Sequence, residues 1–147
     1  GYDAVFYPHF EVQRFLSSFH TENPHVKIGA LGQMDVQTLL MASALLITDF
    51  SSIQFDFAYM LKPEIYYQFD EARYWGTHHD RGYFDYRVDG FGAVVTTQEA
   101  LLTAIETALA SECAVTPEMQ KHIRDTFGAL DDHNCERNHQ AIRELMS

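Results

Sequence analysis

The clearest indication of the fold lies in residues 45–57, which read Leu45-Leu46-Ile47-Thr48-Asp49-Phe50-Ser51-Ser52-Ile53-Gln54-Phe55-Asp56-Phe57. The apolar residues before the turn predict a buried strand, and the segment after the two serines predicts a helix. A strand that leads into a helix N-terminus leaves backbone amides free to bind an anion, and serine hydroxyls add further donors. The sequence therefore predicts a phosphate-binding turn at the carboxyl edge of a parallel sheet.

Short apolar segments alternate with amphipathic segments on both sides of this turn. We predict strands at 4–7, 26–29, 45–48, 64–67 and 93–95, and helices at 11–20, 36–43, 51–60, 97–109, 117–127 and 135–146. Asp35 and the Thr96–Glu99 pair are predicted to cap the second and fourth of these helices. The alternation predicts right-handed βαβ units and an α/β fold with a parallel sheet. Residues 69–92 show no clean period and predict a long irregular segment, which in a compact domain is usually functional.

The chain has 147 residues, of which 46% are hydrophobic, enough for one domain with a real core over residues 1–147. Helices from about residue 117 to 147 form its C-terminal part in this prediction. No apolar run is long enough to span a bilayer. Because the chain begins without a methionine and enters a predicted strand at once, we expect it to be cut from a longer protein.

The formal net charge of −11 argues against a surface that binds nucleic acid or an anionic membrane. It does not exclude phosphate binding, because backbone amides and hydroxyls bind anions without Lys or Arg. Cys113 and Cys135 form no disulfide framework and indicate a reducing compartment, so we expect a cytoplasmic location.

Five side chains are candidates for the chemistry of an anion site. Ser51 and Ser52 either bind a phosphate or simply cap the helix, which is the commoner role of serine. Asp49 follows the strand, where open α/β sheets place functional groups, or it caps the same turn. Asp56 lies on the next helix and either supports the site or ties the helix to a loop. His9 follows Pro8 after the first strand, and it either donates to a phosphate or is structural.

The segment His78-His79-Asp80-Arg81-Gly82-Tyr83-Phe84-Asp85-Tyr86 is a further candidate. Its aromatic residues suit the wall of a pocket, and Arg81 suits a phosphate, whereas the structural alternative is a surface loop held by its own aromatics. His133, Cys135 and His139 match no standard zinc spacing, so we predict no metal site and no cofactor.

Several motifs resemble the signature of the CDP-glycerol glycerophosphotransferases, the teichoic-acid and capsule-polymer enzymes. The family pattern is close to L-I-T-D-Y-S-S-x-x-F-D-Y followed by K/R-P, and this chain has residues 46–57 and then Lys62-Pro63. Residues 81–86 and 89–92 resemble the later R-G-[FY]-[YF]-D-[YF] and P-G-P motifs, and Pro8-His9 resembles the early P-H pair. Phe10 departs from the small residue that often follows that pair, and the region of His78 differs from the shorter loop of the wall-polymer enzymes.

The resemblance implies a GT-B architecture with two Rossmann-like, doubly wound domains, of which this chain is the C-terminal, donor-binding one. It implies transfer of glycerol phosphate, or a related polyol phosphate, from a CDP-linked donor to a polymer or lipid-linked acceptor, with release of CMP. His9 matches the donor-domain histidine near the pyrophosphate, and Ser51 and Ser52 match the hydroxyls that hold phosphate oxygens. Asp49 and Asp56 are then supporting residues. By analogy the full-length protein is peripheral at the inner face of the bacterial membrane.

Two other functions remain compatible with these residues. One is a GT-B glycosyltransferase that uses a nucleotide sugar, which differs from the first reading only in the donor. The other is a receiver-type signalling domain with Asp49 as phospho-acceptor. A receiver needs an acidic pair after its first strand to hold Mg²⁺, and Tyr7-Pro8-His9 is a poor ligand set for that ion.

Overall fold

The computed structural model describes residues 1–77 and 82–146 and forms two compact units, Gly1–Ser43 and Ala44–Ser147. Parallel strands alternate with helices in both units, so the predicted α/β class is confirmed. The doubly wound arrangement, the GT-B architecture and the single domain over 1–147 stay predictions. Across the described residues, no helix is both long and apolar enough to cross a membrane.

The first unit contains a pair of parallel strands, β1 (Ala4–Phe6) and β2 (Val26–Ile28). Their register runs from Ala4 opposite Val26 to Phe6 opposite Ile28. The helix α1 (Val36–Ala42) follows, and Asp35 caps it as predicted by accepting the Thr38 amide at 2.7 Å.

The predicted helix at 11–20 is instead a short 3-10 helix, Gln13–Ser18. Phe15 interrupts it with non-helical backbone angles, and its side chain is 53% exposed. None of the residues in this element is buried. The apolar face therefore lacks the tertiary packing from which a short helix takes most of its stability.

The second unit contains three parallel strands in the order β3 (Leu46–Thr48), β4 (Glu64–Tyr67) and β5 (Gly92–Val95). Leu46 lies opposite Glu64, which in turn lies opposite Gly92. The helices of this unit are α2 (Ile53–Tyr59), α3 (Glu71–Thr77), α4 (Gln98–Ala110), α5 (Pro117–Phe127) and α6 (Asn134–Leu145). Their order matches the prediction except for α3, which occupies part of the segment predicted to be irregular.

A helix cap was predicted one residue too early. Thr97, not Thr96, precedes α4 and accepts the Ala100 amide at 3.2 Å. The spacing of Thr96 and Glu99 fits the capping-box pattern, but it is the extended backbone of Thr97 that directs a hydroxyl to the first turn. Thr116 caps α5 in the same way, with Pro117 at the first helical position.

Aromatic side chains build much of the second unit's core. Phe91 is fully buried with Ala58 and Ile123, and Phe84 and Phe127 pack on this cluster. Phe84 belongs to the segment that we expected to wall a pocket, but its ring contacts Phe91 with a centroid separation of 5.8 Å. The structural alternative, a loop held by its own aromatics, therefore describes Phe84 better.

A second aromatic cluster holds the turn between β3 and α2. The Phe50 ring stacks on Tyr74 of α3, with centroids 3.9 Å apart and planes 6° apart. It also makes edge contacts with Trp75 at 5.5 Å and with Tyr86 at 5.7 Å. Phe50 lies between Asp49 and Ser51, so this cluster fixes the position of both neighbours.

Glu64, the first residue of β4, is an acidic residue buried in this unit. Only 1% of its surface is exposed. Neither carboxyl oxygen has a hydrogen bond of good geometry among the described residues. Burial raises the pKa of Glu64 to about 8, and the nearby Tyr66 hydroxyl and Ala58 backbone offset this only in part. Gly92 opposite Glu64 has no room for a Cβ, because it would collide with the Glu64 carbonyl.

We predict that Phe50→Ala lowers the free energy of unfolding by about 2–4 kcal/mol, because it removes three ring contacts and leaves a cavity. Urea unfolding followed by the fluorescence of Trp75, the single tryptophan, measures the effect at the cluster itself. Tyr83→Ala is the matched control, since Tyr83 is 100% exposed and its removal should change little. Equal effects of the two substitutions would show that the cluster does not stabilise the turn.

The Glu64 carboxyl should make stability depend on pH. The folded chain keeps this proton up to about pH 8, whereas the unfolded chain releases it near pH 4.5. Between these values the folded state holds more protons, so its stability falls as the pH rises, by on the order of 5 kcal/mol over the full range. We predict that Glu64→Gln removes this decrease in urea-unfolding experiments, while the exposed Glu106→Gln keeps it. A Glu64→Gln protein with the unchanged pH slope would contradict the burial argument.

Candidate functional site

The predicted phosphate-binding turn lies between the end of β3 at Thr48 and the start of α2 at Ile53. Ser52 occupies the N-cap position, but its side chain makes no capping hydrogen bond. The Ser51 and Ser52 carbonyls accept the amides of Gln54 at 3.4 Å and Phe55 at 3.1 Å. The backbone alone therefore starts this helix, and the alternative in which a serine hydroxyl caps it is not observed.

The hydroxyl and backbone N–H donors of Ser51 and Ser52 are available to a ligand. Within residues 1–77 and 82–146, neither the hydroxyls nor the backbone amides of Ser51 and Ser52 make a hydrogen bond. Ser51 is half-buried and Ser52 is exposed, so both reach solvent. Because α2 has only seven residues, these local donors and not a long helix dipole give the turn its capacity for an anion.

Gln68 supports the turn from the neighbouring strand. It follows β4, is 2% exposed, and its side-chain amide donates to the Asp49 carbonyl at 3.4 Å. Its backbone amide donates to the Val95 carbonyl of β5 at 2.8 Å. One buried residue thus links the carboxyl ends of all three strands.

The exposed Asp49 carboxylate lies near two tyrosine hydroxyls. Burial and then the Asp49 charge raise the pKa of Tyr74. Burial likewise raises the pKa of Tyr86, with smaller contributions from Tyr74 and Asp49, while the Gln54 side chain lowers it. Both phenols therefore stay protonated donors beside the Asp49 carboxylate.

Gln54 and Gln68 were missed by the sequence analysis. Gln54 is 2% exposed on α2, and its Oε1 has no hydrogen-bond partner among the described residues. The sequence nevertheless marks both residues as unusual. Gln54 interrupts an apolar helix face, and Gln68 follows a buried strand at the same edge as Asp49. Most buried polar groups find a hydrogen-bond partner, as the Gln68 side-chain amide does at the Asp49 carbonyl.

The remaining predicted residues lie in different parts of the chain. Asp56 is exposed in the first turn of α2 and makes no hydrogen bond to a described residue, so the link to a loop is not observed. Arg81, like His78 and His79, lies outside the described residues. Of the predicted set, the structure brings Asp49, Ser51 and Ser52 together on one turn, with Asp56 on the helix that follows.

His9 belongs to the first unit and is exposed after the buried Pro8. Its Nδ1 accepts the Glu11 backbone amide at 3.4 Å, and its ring contacts Phe10 at 4.3 Å. A ring nitrogen that accepts a hydrogen bond carries no proton, so the neutral ring has its proton on Nε2. His9 thus presents an Nε2–H donor to solvent.

The part of the chain that the structure describes holds no group of three His, Cys, Asp or Glu side chains able to bind a metal ion. His133 instead pairs with Glu136 at 3.1 Å on the surface of α6. The donors around the turn are hydroxyls, amides and phenols, which suit the oxygens of a phosphate better than a cation.

Comparison with known proteins identifies relatives over nearly the whole chain. The minor teichoic acid biosynthesis protein GgaB of Bacillus subtilis (strain 168) is 31% identical over 145 residues, which are 99% of this chain and 15% of that protein. The teichoic acid poly(glycerol phosphate) polymerase of the same organism is 40% identical over 75 residues, or 49% of this chain and 10% of that protein.

The solved structure of the wall teichoic acid polymerase TagF has the same fold over 99% of this chain and 36% of its own, with a TM-score of 0.71 and 19% identity. This chain therefore spans well under half the length of each of these relatives. The family model described as CDP-glycerol:poly(glycerophosphate) glycerophosphotransferase matches residues 2–142. The resemblance in the motifs is thus confirmed, and the chain belongs to this glycerophosphotransferase family.

Proposed function

We propose that the chain forms the donor-binding part of a transferase that moves glycerol phosphate, or a related polyol phosphate, from a CDP-linked donor to a cell-wall or capsule polymer. The observation that supports this most is the turn after β3, where Ser51 and Ser52 offer unused donors in a member of this family. A diphosphate presents only acceptor oxygens, so it is complementary to a turn that presents hydroxyls and amides.

In the proposed reaction an acceptor hydroxyl attacks the donor phosphorus that carries the polyol. A new P–O bond forms, the P–O bond to the CMP oxygen breaks, and the hydroxyl proton leaves to a base. Negative charge shifts to the CMP phosphate as this bond breaks, and donors aimed at it lower the barrier. We assign the hydroxyls of Ser51 and Ser52 to the phosphate oxygens and the Nε2–H of His9 to the leaving phosphate.

The negative charge of Asp49 near the turn is compatible with diphosphate binding when neighbouring donors and a cationic side chain offset it. Asp49 is exposed beside Ser51, but Tyr74 and Tyr86 offer donors that partly compensate its charge. Arg81 is assigned to a donor phosphate, since guanidinium pairs with phosphate in a bidentate manner. Asp49 and Asp56 are assigned supporting roles.

We propose that the intact enzyme has the GT-B architecture and that this chain is its C-terminal, donor-binding domain. The other domain would supply the acceptor site and a further catalytic group, so the isolated chain should bind the donor weakly and transfer little. A cytoplasmic enzyme at the inner face of the membrane would meet both a CDP-linked donor and a lipid-linked acceptor.

The serine assignment predicts that Ser51→Ala and Ser52→Ala each lower kcat/KM for the donor by about 10- to 100-fold in the intact enzyme, the loss expected for a hydrogen bond to a charged group. Ser111→Ala, whose hydroxyl bonds within the end of α4, is the control and should retain activity. Circular dichroism and thermal melting would establish that all three variants fold. Full activity in both turn variants would remove these serines from the mechanism.

The donor assignment predicts that CDP-glycerol, CDP-ribitol and CMP raise the melting temperature of the intact enzyme more than UDP-sugars do, because a ligand that binds only the folded state stabilises it. The Ser51→Ala variant is the control for binding at the turn and should show a smaller rise. A consistent preference for UDP-sugars would replace this donor by that of a nucleotide-sugar glycosyltransferase. Phosphorylation of Asp49 by acetyl phosphate and Mg²⁺, seen as added mass, would favour the receiver-type alternative.

A further inference from the structure

Gln13 joins the two loops that follow β1 and β2 in the first unit. Its side-chain Nε2 donates to the Pro8 carbonyl at 2.9 Å, and its Oε1 accepts the Leu31 backbone amide at 3.0 Å. The amide cannot be flipped, because its oxygen would then face a carbonyl and its nitrogen would face an N–H group. This half-buried residue therefore has one required orientation.

The same residue also closes the turn that carries His9. The Gln13 backbone amide donates to the His9 carbonyl at 3.2 Å, and Val12 donates to the same carbonyl at 2.8 Å. Within this turn the Glu11 amide points at His9 Nδ1 at a distance of 3.4 Å. Such a long hydrogen bond is weak, so it persists only where the surrounding backbone is held in place.

We propose that Gln13 is a positioning residue that fixes the His9 ring as the Nε2–H tautomer. By bonding the Pro8 carbonyl, it holds the peptide that leads into His9, and it thereby keeps the Glu11 amide aligned with Nδ1. The catalytic consequence of this inference rests on the proposed function, in which His9 donates from Nε2 to a phosphate.

The local fold makes this bridge important. The 3-10 helix that begins at Gln13 has no buried residue and no side-chain cap, so it offers the turn little support of its own. His9 is exposed, and an exposed ring rotates and exchanges its proton between both nitrogens unless a contact selects one state. A donor that is already oriented has no rotational freedom to lose when substrate binds, so binding costs less conformational entropy.

The test measures the His9 tautomer directly by long-range proton–nitrogen NMR of the 147-residue chain, at a pH where imidazole is neutral. His9→Gln identifies the signals of this ring among the eight histidines. Gln13→Met removes both side-chain hydrogen bonds at similar volume, and Gln13→Glu keeps only the acceptor for Leu31. Gln33→Met, at an exposed glutamine in the loop after β2, is the matched control.

We expect protonated Nε2 and unprotonated Nδ1 in the unmodified chain and in Gln33→Met, and a mixture of both tautomers in the two Gln13 variants. An unchanged tautomer in a folded Gln13→Met protein would overturn the proposal. If Gln13→Met does not fold, the His9 tautomer is measured in Gln13→Glu, and an unchanged tautomer there would likewise overturn the proposal. Both variants lose the hydrogen bond to the Pro8 carbonyl, which is the only loss that the expected tautomer shift requires.

A kinetic measurement then separates this inference from the proposed function. In the intact enzyme, Gln13→Met should lower kcat by about 10- to 100-fold with little change in KM for the donor, because binding is kept and orientation is lost. A tautomer shift without any loss of kcat would uphold the positioning role of Gln13 and reject the catalytic role of His9. An unchanged tautomer would reject the positioning role whatever the activity.

Discussion

The stacking of Phe50 on Tyr74 is the contact on which the candidate site depends. Phe50 lies between Asp49 and Ser51, so its ring cannot leave α3 without moving the turn between β3 and α2. The same ring meets Tyr86 from the segment after the gap in the described residues, which brings a third element to the turn. Gln68 also holds the turn, because its side-chain amide donates to the Asp49 carbonyl. A turn fixed by aromatic packing and one buried amide leaves its hydroxyls free for a ligand.

The acidic character of the chain and its proposed affinity for a diphosphate are compatible because they act over different distances. The net charge of −11 repels anions at long range, but salt screens this repulsion beyond about 8 Å at physiological ionic strength. In the proposed site the free donors of Ser51 and Ser52 would dominate at contact distance, and they would bind the diphosphate without the nonspecific attraction that a basic surface brings. An acidic surface with a local donor site thus favours selectivity over general anion binding.

The sequence predicted the strands and most helices because burial imposes a regular period on them, and it predicted the serine turn because strand, turn and helix follow one another there. The sequence-based prediction failed where tertiary contacts determine which secondary structure forms. The helix α3 has few signals of its own and is held by the contact of Tyr74 with Phe50. The 3-10 helix that begins at Gln13 lacks a surface on which to bury its apolar residues. The bridging contacts of Gln13 and Gln68 were not predictable in detail, because a glutamine acquires them only from the backbone groups that folding places around it.

The most direct test of the central claim is an NMR titration of the 147-residue chain with CDP, followed through backbone amide shifts. The account predicts that the amides of residues 49–53 move most and saturate together, since they surround the free hydroxyls of Ser51 and Ser52. Shifts confined to other parts of the chain, with residues 49–53 unchanged at saturation, would contradict it.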